Sequence, residues 1–558
     1  MREEYDAVVV GSGAGGGIAA YVLTKRGLKV LLLEAGRDYN PATETPMFQI
    51  NADAPLNGAT TPDRPNGFYD ASIVPGEPYT VGDGTSYRWD RSRILGGRTN
   101  HWGRLSYRYG PYDFKTHTRD SLGFDWPISY EDLAPYYDRV ESLIGVFGAA
   151  EGIENSPDSP PGVLLPPPPL RIGETWMKMA VEKRLGIRVV PNHAAILTRP
   201  VNGRPACLYA TDCGRGCSIG ANFQTPTVLL PPARATKRLS VRTLAMVYEI
   251  ALDKQGRAAG VHYVDTSTNT RHFVHAQAVV LAASTGETTR LLLNSKSPSF
   301  PNGLANSSGH VGRNLTDSVV VGVSAPIPAL KGLPPYNDDG VSAPHALIPW
   351  WGHRDKEAGR LKFATDYIIF SGSTRSMPSV EQFYGLPRER GRPIYGRTLR
   401  ERLREEFGTT FGMATCGGMI PNSDCYCDID PSVKDRWGIP ALRFHWKWGP
   451  QESAQAQHAM QSMTDIIFAM GGAKPNIYNK TTDNLMTSGH ELGMARMGAS
   501  PRDSVLTAFG HTWDVRNIYV VDGACFSSHA GKNPTETIMA LAWRASDHLA
   551  DSFIRKEI

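Results

Sequence analysis

The chain has 558 residues, of which 41% are hydrophobic and 20% are charged, so it can bury a large core and form two or more domain-sized units. This balance excludes a disordered chain and a coiled coil. Lys and Arg number 59 against 55 Asp and Glu, and the resulting net charge of +4 is too small to favour a nucleic acid or an anionic membrane as the main partner. We therefore expect a small-molecule substrate.

No stretch of the sequence approaches 18 consecutive apolar residues, so we expect no membrane span. The N-terminus begins with charged residues and is already strand-like from Asp6, which leaves no room for a signal peptide. We therefore expect a cytoplasmic protein. Seven cysteines in a chain of this length are too few for a disulfide scaffold.

The start of the chain predicts one β-α-β unit. A strand over 7–10 leads into a glycine-rich turn, a helix over 18–25 and a second strand over 29–36. Further elements are predicted along the chain: a helix over 130–146, an extended proline-rich excursion over 156–170, an α/β block over 239–293, a strand over 441–448, a helix over 451–470, a strand and its exit over 517–526 and a helix over 533–551. The nucleotide-binding unit is therefore predicted to combine the start, middle and end of the chain.

A dinucleotide motif occupies the first turn. Gly11, Gly13 and Gly16 form G-x-G-x-x-G between strand and helix, and Glu34 ends the next strand. The glycines would let backbone N–H groups approach a pyrophosphate at the helix N-terminus, and Glu34 would accept hydrogen bonds from an adenosine ribose. The motif predicts a bound dinucleotide, FAD or NAD. The alternative is a tight strand-to-helix turn without a ligand.

The C-terminal helix favours FAD over NAD. Asn533 is the predicted N-cap, Pro534 suits the first helical position and Glu536 completes a capping-box-like pair. An acidic-glycine turn, Asp522-Gly523, lies beside this helix. A helix N-terminus aimed at the pyrimidine side of a flavin would stabilise the negative charge that develops on reduction.

Five separated groups of residues carry a family resemblance. They are GSGAGGG (11–17) with LLEAG (32–36), ILGGRTNHWGR (94–104), VVLAASTGETTRLLL (279–293), GHELGMARMG (489–498), and VVDGACF (520–526) with NPTETIMALAWR (533–544). In this order they resemble the glucose-methanol-choline (GMC) oxidoreductase family, and within it the bacterial branch of FAD-dependent glucose dehydrogenase catalytic subunits and pyranose oxidases. Ser284 departs from the glycine that is frequent in the family at this position.

The resemblance implies a two-domain fold. One domain is an α/β FAD-binding domain, Rossmann-like and of the glutathione-reductase type, assembled from the discontinuous segments 1–40, 90–110, 220–320 and 480–558. The other is an α+β substrate-binding domain with an antiparallel sheet, built with its excursions from 41–89, 111–219 and 321–479.

The resemblance also implies the site residues. Cofactor contacts are expected from Gly11, Gly13, Gly16, Glu34, Gly97, Asn100, His101, Val247, Asp522, Asn533, Pro534 and Thr535. Oxidising an alcohol needs a base for the hydroxyl proton, and His490 and Asn533 match the catalytic pair of the pyranose oxidase branch. With His490 as base, the rate is expected to rise with pH through an imidazole-like pKa. A structural histidine and a plain helix N-cap are the alternative interpretations.

Two further histidines are candidates. His529 is a candidate at the rim of the site, and a solvated loop histidine is its alternative. His101 matches the histidine that the pyranose oxidase branch joins covalently to its flavin. Other members keep this histidine without the bond, so both states remain open.

Three cysteines lie close together in the sequence. Cys207, Cys213 and Cys217 form C-x5-C-x3-C, and clustered thiolates are the ligands of iron-sulfur centres. The spacing matches the segment with which the related glucose dehydrogenase subunit holds a cluster. This chain lacks the prolines and the additional cysteine of that segment. A disulfide between Cys213 and Cys217 and three ordinary thiols are the alternatives.

The expected function is FAD-dependent oxidation of a secondary or anomeric hydroxyl of a sugar or glycoside, for example at C3, C2 or C1, by hydride transfer to flavin N5. Electrons would pass to oxygen, a dye-like acceptor or a protein, and the resemblance adds a small subunit and an electron-accepting cytochrome as partners. Through a signal-bearing partner the protein would reach the periplasm. The alternatives are a flavin-containing lyase, an oxidoreductase for a non-sugar alcohol and a non-catalytic flavin-binding subunit.

Overall fold

The computed structural model describes residues 4–45, 47, 74–210, 213–333, 341–372, 388–389, 392–406, 408–479 and 489–558. Its strands are β1 Glu4–Val10, β2 Val30–Leu33, β3 Thr80–Val81, β4 Val190–Pro191, β5 Leu239–Arg242, β6 Ala245–Leu252, β7 Ala258–Asp265, β8 Thr270–Leu281, β9 Val321–Pro326, β10 Ala346–Ile348, β11 Tyr367–Ser371, β12 Arg388–Glu389, β13 Arg392–Pro393, β14 Thr410–Gly417, β15 Tyr426–Lys434, β16 Pro440–His445, β17 Asn476–Asn479 and β18 Ile518–Val520. Its α-helices are α1 Ala14–Lys25, α2 Pro41–Glu44, α3 Thr116–Asp120, α4 Tyr130–Ile144, α5 Ile172–Leu185, α6 Thr225–Val228, α7 Leu230–Ala235, α8 Thr285–Asn294, α9 His353–Glu357, α10 Gly396–Glu406, α11 Pro450–Ala469 and α12 Thr535–Ile554.

A seven-stranded sheet brings together the start, middle and end of the chain. Its order is β5-β2-β1-β8-β7-β6, and β18 also pairs with β8. The pairs between β5, β2, β1, β8 and β18 are parallel, whereas β6, β7 and β8 pair antiparallel. β1 and β2 are apolar over most of their length and buried, as expected for parallel strands covered on both faces.

A second sheet has six strands in the order β17-β9-β14-β11-β10-β4, and all its pairs are antiparallel. Its strands lie within the segments predicted for the substrate-binding domain, and those of the first sheet lie within the segments predicted for the FAD-binding domain. The domain boundaries themselves stay a prediction. No helix in the described ranges is both long and apolar enough to cross a bilayer.

Most of the predicted elements are present with shifted ends. α4 has the predicted capping box at Ser129 and Asp132 and ends at Gly145 in the left-handed conformation. α1 begins at Ala14 and not at Ile18, because Gly15, Gly16 and Gly17 are themselves helical. In the segment predicted over 517–526 as a strand and its exit, the strand is Ile518–Val520 and the exit includes a 3-10 turn over Gly523–Cys525.

Candidate active site

A cavity of about 300 Å³ lies where the parallel strands of the first sheet end. Residues directly after β1, β2, β8 and β18 line it, which is the edge where α/β sheets bind their ligands. The predicted site residues that line it are Gly11, Gly13, Glu34, Gly97, His101, Val247, His490, Asp522, Asn533, Pro534 and Thr535. The tertiary structure thus brings together residues from the start, the middle and the end of the chain.

Two glycines of the glycine-rich motif have different roles. A Cβ at Gly16 would lie 1.9 Å from the carbonyl oxygen of Gly11, so this glycine permits α1 to pack against the turn and does not line the cavity. Gly13 is the N-cap of α1, and a Cβ there would meet nothing within 4 Å. Because Gly13 lines the cavity, the N-terminus of α1 has open space in front of it, as an approaching pyrophosphate requires.

Glu34 is buried at the cavity wall with its carboxylate already hydrogen-bonded. It accepts from the backbone N–H of Ser12 at 3.2 Å and of Gly36 at 2.9 Å, and also from the Ser12 hydroxyl. Burial raises the pKa of Glu34, an effect that these hydrogen bonds oppose. An acidic acceptor here and an open helix N-terminus at Gly13 fit the two ends of an adenosine diphosphate, so these residues fit FAD.

Asn100 has a structural role and does not line the cavity, unlike the prediction. It is fully buried, donates to the carbonyl oxygens of Leu95 at 2.9 Å and Gly97 at 3.0 Å, and accepts from Gln224 at 3.0 Å. Its amide therefore holds the 3-10 turn Gly97–Asn100 in shape. His101, directly after this turn, does line the cavity.

The N-terminus of α12 differs from the predicted cap. The N-cap is Pro534, with no side-chain cap, and the helix begins at Thr535. Asn533 lies outside the helix, so its side chain is available to the cavity. Glu536 makes no capping box: it is fully buried, and burial with repulsion from Glu141 raises its pKa well above the usual range.

Asp522 also lines the cavity. Its side chain caps the 3-10 turn that begins at Gly523, and burial raises its pKa to about 6.

His490 and Asn533 meet at the cavity wall. Nδ2 of Asn533 lies 3.4 Å from Nε2 of His490, and the Asn533 Oδ1 atom is buried without a hydrogen-bond partner. The backbone N–H of His490 donates to Asp317 at 3.0 Å, which anchors the loop that carries the ring. Burial, with repulsion from His529 and Arg98, lowers the pKa of His490 from 6.5 to about 3. The ring is therefore neutral at pH 7.

His529 lies behind His490 and not at the rim of the site, so the rim prediction is wrong. Only 2% of His529 is exposed, and its Nε2 atom lies 3.3 Å from the Ser318 hydroxyl. The same hydroxyl lies 2.8 Å from Nδ1 of His490. Sequence reasoning missed Ser318 and Asp317, which belong to no recognised motif and precede β9 in the chain.

None of the three clustered cysteines forms a disulfide, so the alternative of a Cys213–Cys217 bridge is wrong. Cys213 accepts a hydrogen bond from the Ser342 hydroxyl at 2.8 Å, and burial raises the pKa of its thiol. The structure does not assemble the predicted iron-sulfur ligands Cys207, Cys213 and Cys217. Over the part of the chain that is described, no group of three or more His, Cys, Asp or Glu side chains is arranged to hold a metal ion.

Known proteins resemble this chain over nearly its whole length. It is 32% identical to 2-methyl-1,2-propanediol dehydrogenase of Mycolicibacterium austroafricanum, with 99% of this chain and 96% of the relative covered. It is 29% identical to the fructose dehydrogenase large subunit of Gluconobacter japonicus, with 97% of both chains covered. Its fold is similar to that of pyridoxine 4-oxidase from Mesorbium loti, with a TM-score of 0.61, 16% identity, and 97% and 98% of the two chains covered.

Two family models described as GMC oxidoreductase match residues 5–320 and 421–542. Together they include the glycine-rich turn, Glu34, His490 and Asn533. The chain therefore belongs to the GMC oxidoreductase family, whose members are FAD-dependent enzymes that oxidise alcohol and sugar hydroxyls.

Proposed function

We propose that the protein oxidises a secondary or anomeric hydroxyl of a sugar or glycoside, with His490 as the base. The observation that carries the proposal is the pair at the cavity wall, in which His490 Nε2 and Asn533 Nδ2 lie 3.4 Å apart. One atom accepts a proton and the other donates a hydrogen bond, so a substrate hydroxyl can contact both. FAD, when bound, supplies the hydride acceptor.

Residues of the chain itself orient the substrate hydroxyl and accept its proton. Asn533 donates a hydrogen bond to the substrate oxygen and thereby orients the hydroxyl towards the ring. His490, neutral because burial lowers its pKa to about 3, accepts the hydroxyl proton at Nε2. Asp317 keeps the ring in place through its hydrogen bond from the backbone of His490.

We further propose that the first sheet forms a Rossmann-like FAD-binding domain of the glutathione-reductase type. Its parallel strands, the open N-terminus of α1 at Gly13 and the buried acceptor Glu34 support this assignment. The antiparallel second sheet would then belong to the substrate-binding domain.

Two substrate classes have support from relatives. The fructose dehydrogenase large subunit favours a sugar. The 2-methyl-1,2-propanediol dehydrogenase favours a small non-sugar diol as the second candidate. A panel of free sugars, glycosides, amino sugars and branched diols, assayed with a redox dye beside oxygen consumption, decides between the classes and identifies the acceptor.

Anaerobic mixing of the FAD-loaded protein with a good substrate tests the chemistry. We expect the yellow colour to bleach, whereas a lyase would turn over without bleaching. His490→Ala should keep its FAD while kcat/KM falls roughly a hundredfold or more, the range for a lost general base. Bleaching of His490→Ala at the wild-type rate would contradict the proposal.

A matched control comes from His548, a histidine on α12 that does not line the cavity. Burial lowers its pKa to about 4, and Nδ1 hydrogen-bonds with the Tyr519 hydroxyl at 2.9 Å. His548→Ala removes a histidine with a similarly lowered pKa and should leave kcat/KM unchanged. The comparison separates loss of the base from the general effect of deleting a shielded imidazole.

A further inference from the structure

We propose that Ser318 and His529 are positioning residues that hold His490 in the tautomer with an unprotonated Nε2 atom. This inference rests on the proposed role of His490 as base, because only that tautomer can accept the substrate proton. The three side chains form one hydrogen-bonded row behind the cavity, and its far end is fixed by a backbone carbonyl.

The row is anchored at His529. Its Nδ1 atom lies 2.9 Å from the carbonyl oxygen of Ala530, which can only accept, so Nδ1 carries the proton. A neutral imidazole has one N–H, and burial, as the largest effect, lowers the pKa of His529 to about 4. Its Nε2 atom is therefore an acceptor.

The Ser318 hydroxyl links the two rings and thereby fixes which nitrogen of His490 carries the proton. The hydroxyl lies 3.3 Å from His529 Nε2, and because that nitrogen carries no proton, the hydroxyl is the donor. The hydroxyl oxygen then has lone pairs free to accept, and His490 Nδ1 lies 2.8 Å from it. The single ring proton of neutral His490 is therefore held on Nδ1. Its Nε2 atom, which faces Asn533, carries no proton.

The contact between His490 and Asn533, at the cavity end of the row, agrees with a proton on Nδ1 of His490. Asn533 presents Nδ2, a donor, at 3.4 Å from His490 Nε2, which requires an acceptor there. The hydroxyl of Ser318 also contacts Cys416 Sγ at 3.4 Å, but a thiol is a weak partner. The charged groups near the row are Arg98 and Asp317 beside His490, and Asp366 beside His529.

The same row assists the proton transfer. When His490 accepts the hydroxyl proton at Nε2, its ring becomes positive and Nδ1–H donates more strongly to Ser318. The hydrogen bond therefore favours the proton-accepting transition state over the resting state. Its loss should lower kcat and leave KM nearly unchanged.

Ser318→Ala tests the proposal because it removes both the donor to His529 and the acceptor for His490. We expect kcat to fall roughly tenfold to a hundredfold, the range for an unpaired buried polar group, with KM changing less than about twofold. Cys416→Ala is the matched control: it removes another buried neighbour of the Ser318 hydroxyl and should leave kcat within about twofold of wild type.

Two variants of His529 separate hydrogen bonding from bulk. His529→Gln offers Ser318 an amide oxygen as acceptor and should keep kcat within about fivefold of wild type. His529→Leu removes the acceptor at similar size, and its kcat should fall as far as that of Ser318→Ala. If Ser318→Ala does not fold, this pair decides the question, and equal kcat in the two variants overturns the proposal.

Nitrogen-15 NMR of the histidine-labelled, FAD-loaded protein reports the tautomer directly. The His490 resonances are those missing in His490→Ala. We expect Nε2 to be of the unprotonated, pyridine type in wild type and to lose that character in Ser318→Ala. An unchanged Nε2 resonance and an unchanged kcat in Ser318→Ala overturn the positioning role, even where His490→Ala is slow. A His490→Ala protein as fast as wild type instead overturns the proposed base.

Discussion

Gly13 and Gly16 of the glycine-rich motif allow a matched test of where FAD binds. Gly13→Ala places a methyl group in open space, since nothing lies within 4 Å of that Cβ and φ of −66° suits alanine. The apoprotein should therefore fold normally, with its free energy of unfolding changed by less than about 1 kcal/mol. The methyl group would project into the space that the pyrophosphate needs.

Gly16→Ala, three positions along the same motif, should act in the opposite way. Its Cβ would lie 1.9 Å from the carbonyl oxygen of Gly11 and 3.1 Å from the Cβ of Ala282. Backbone atoms cannot move aside as a flexible side chain can, so we expect the apoprotein to lose about 3 kcal/mol or more. Any loss of FAD would then follow from unfolding.

The assay measures FAD affinity by flavin fluorescence on adding cofactor to stripped protein, and stability by urea unfolding of the same samples. For Gly13→Ala we expect the dissociation constant to rise roughly tenfold to a hundredfold, equivalent to about 1.4–2.8 kcal/mol. Wild-type FAD affinity in Gly13→Ala would refute the placement of the pyrophosphate at α1. Wild-type stability in Gly16→Ala would refute the packing argument.

Two further predictions concern charge. The sequence predicted an imidazole-like pKa for the base, but burial and the repulsion from His529 and Arg98 lower the pKa of His490 to about 3. Because the neutral ring is the active form, kcat/KM should fall only as the pH drops towards that value. A fall of kcat/KM with a midpoint near pH 6.5 would contradict the burial argument. Glu34→Gln should weaken FAD binding roughly tenfold or more in the same fluorescence titration, since an amide accepts more weakly than a carboxylate and presents one oxygen instead of two; an unchanged dissociation constant would remove the ribose contact assigned to Glu34.

Local patterns in the sequence determined much of the architecture. The β-α-β start and helix α4 depend on residues close together in the chain, such as the capping pair Ser129 and Asp132. The resemblance located His490 and Asn533. The cap assigned to Asn533 was wrong, because capping statistics describe local preference and α12 begins only at Thr535.

Other features were decided by the tertiary structure alone. Ser318 is separated from His490 by 172 positions and from His529 by 211, yet its hydroxyl hydrogen-bonds with both rings. The depth at which His529 is buried, and the lowered pKa of His490, depend on which side chains pack around them. Periodicity and spacing report the neighbours of a residue along the chain. Contacts between distant segments, and the desolvation that shifts a pKa, arise only when the two sheets and their loops pack together.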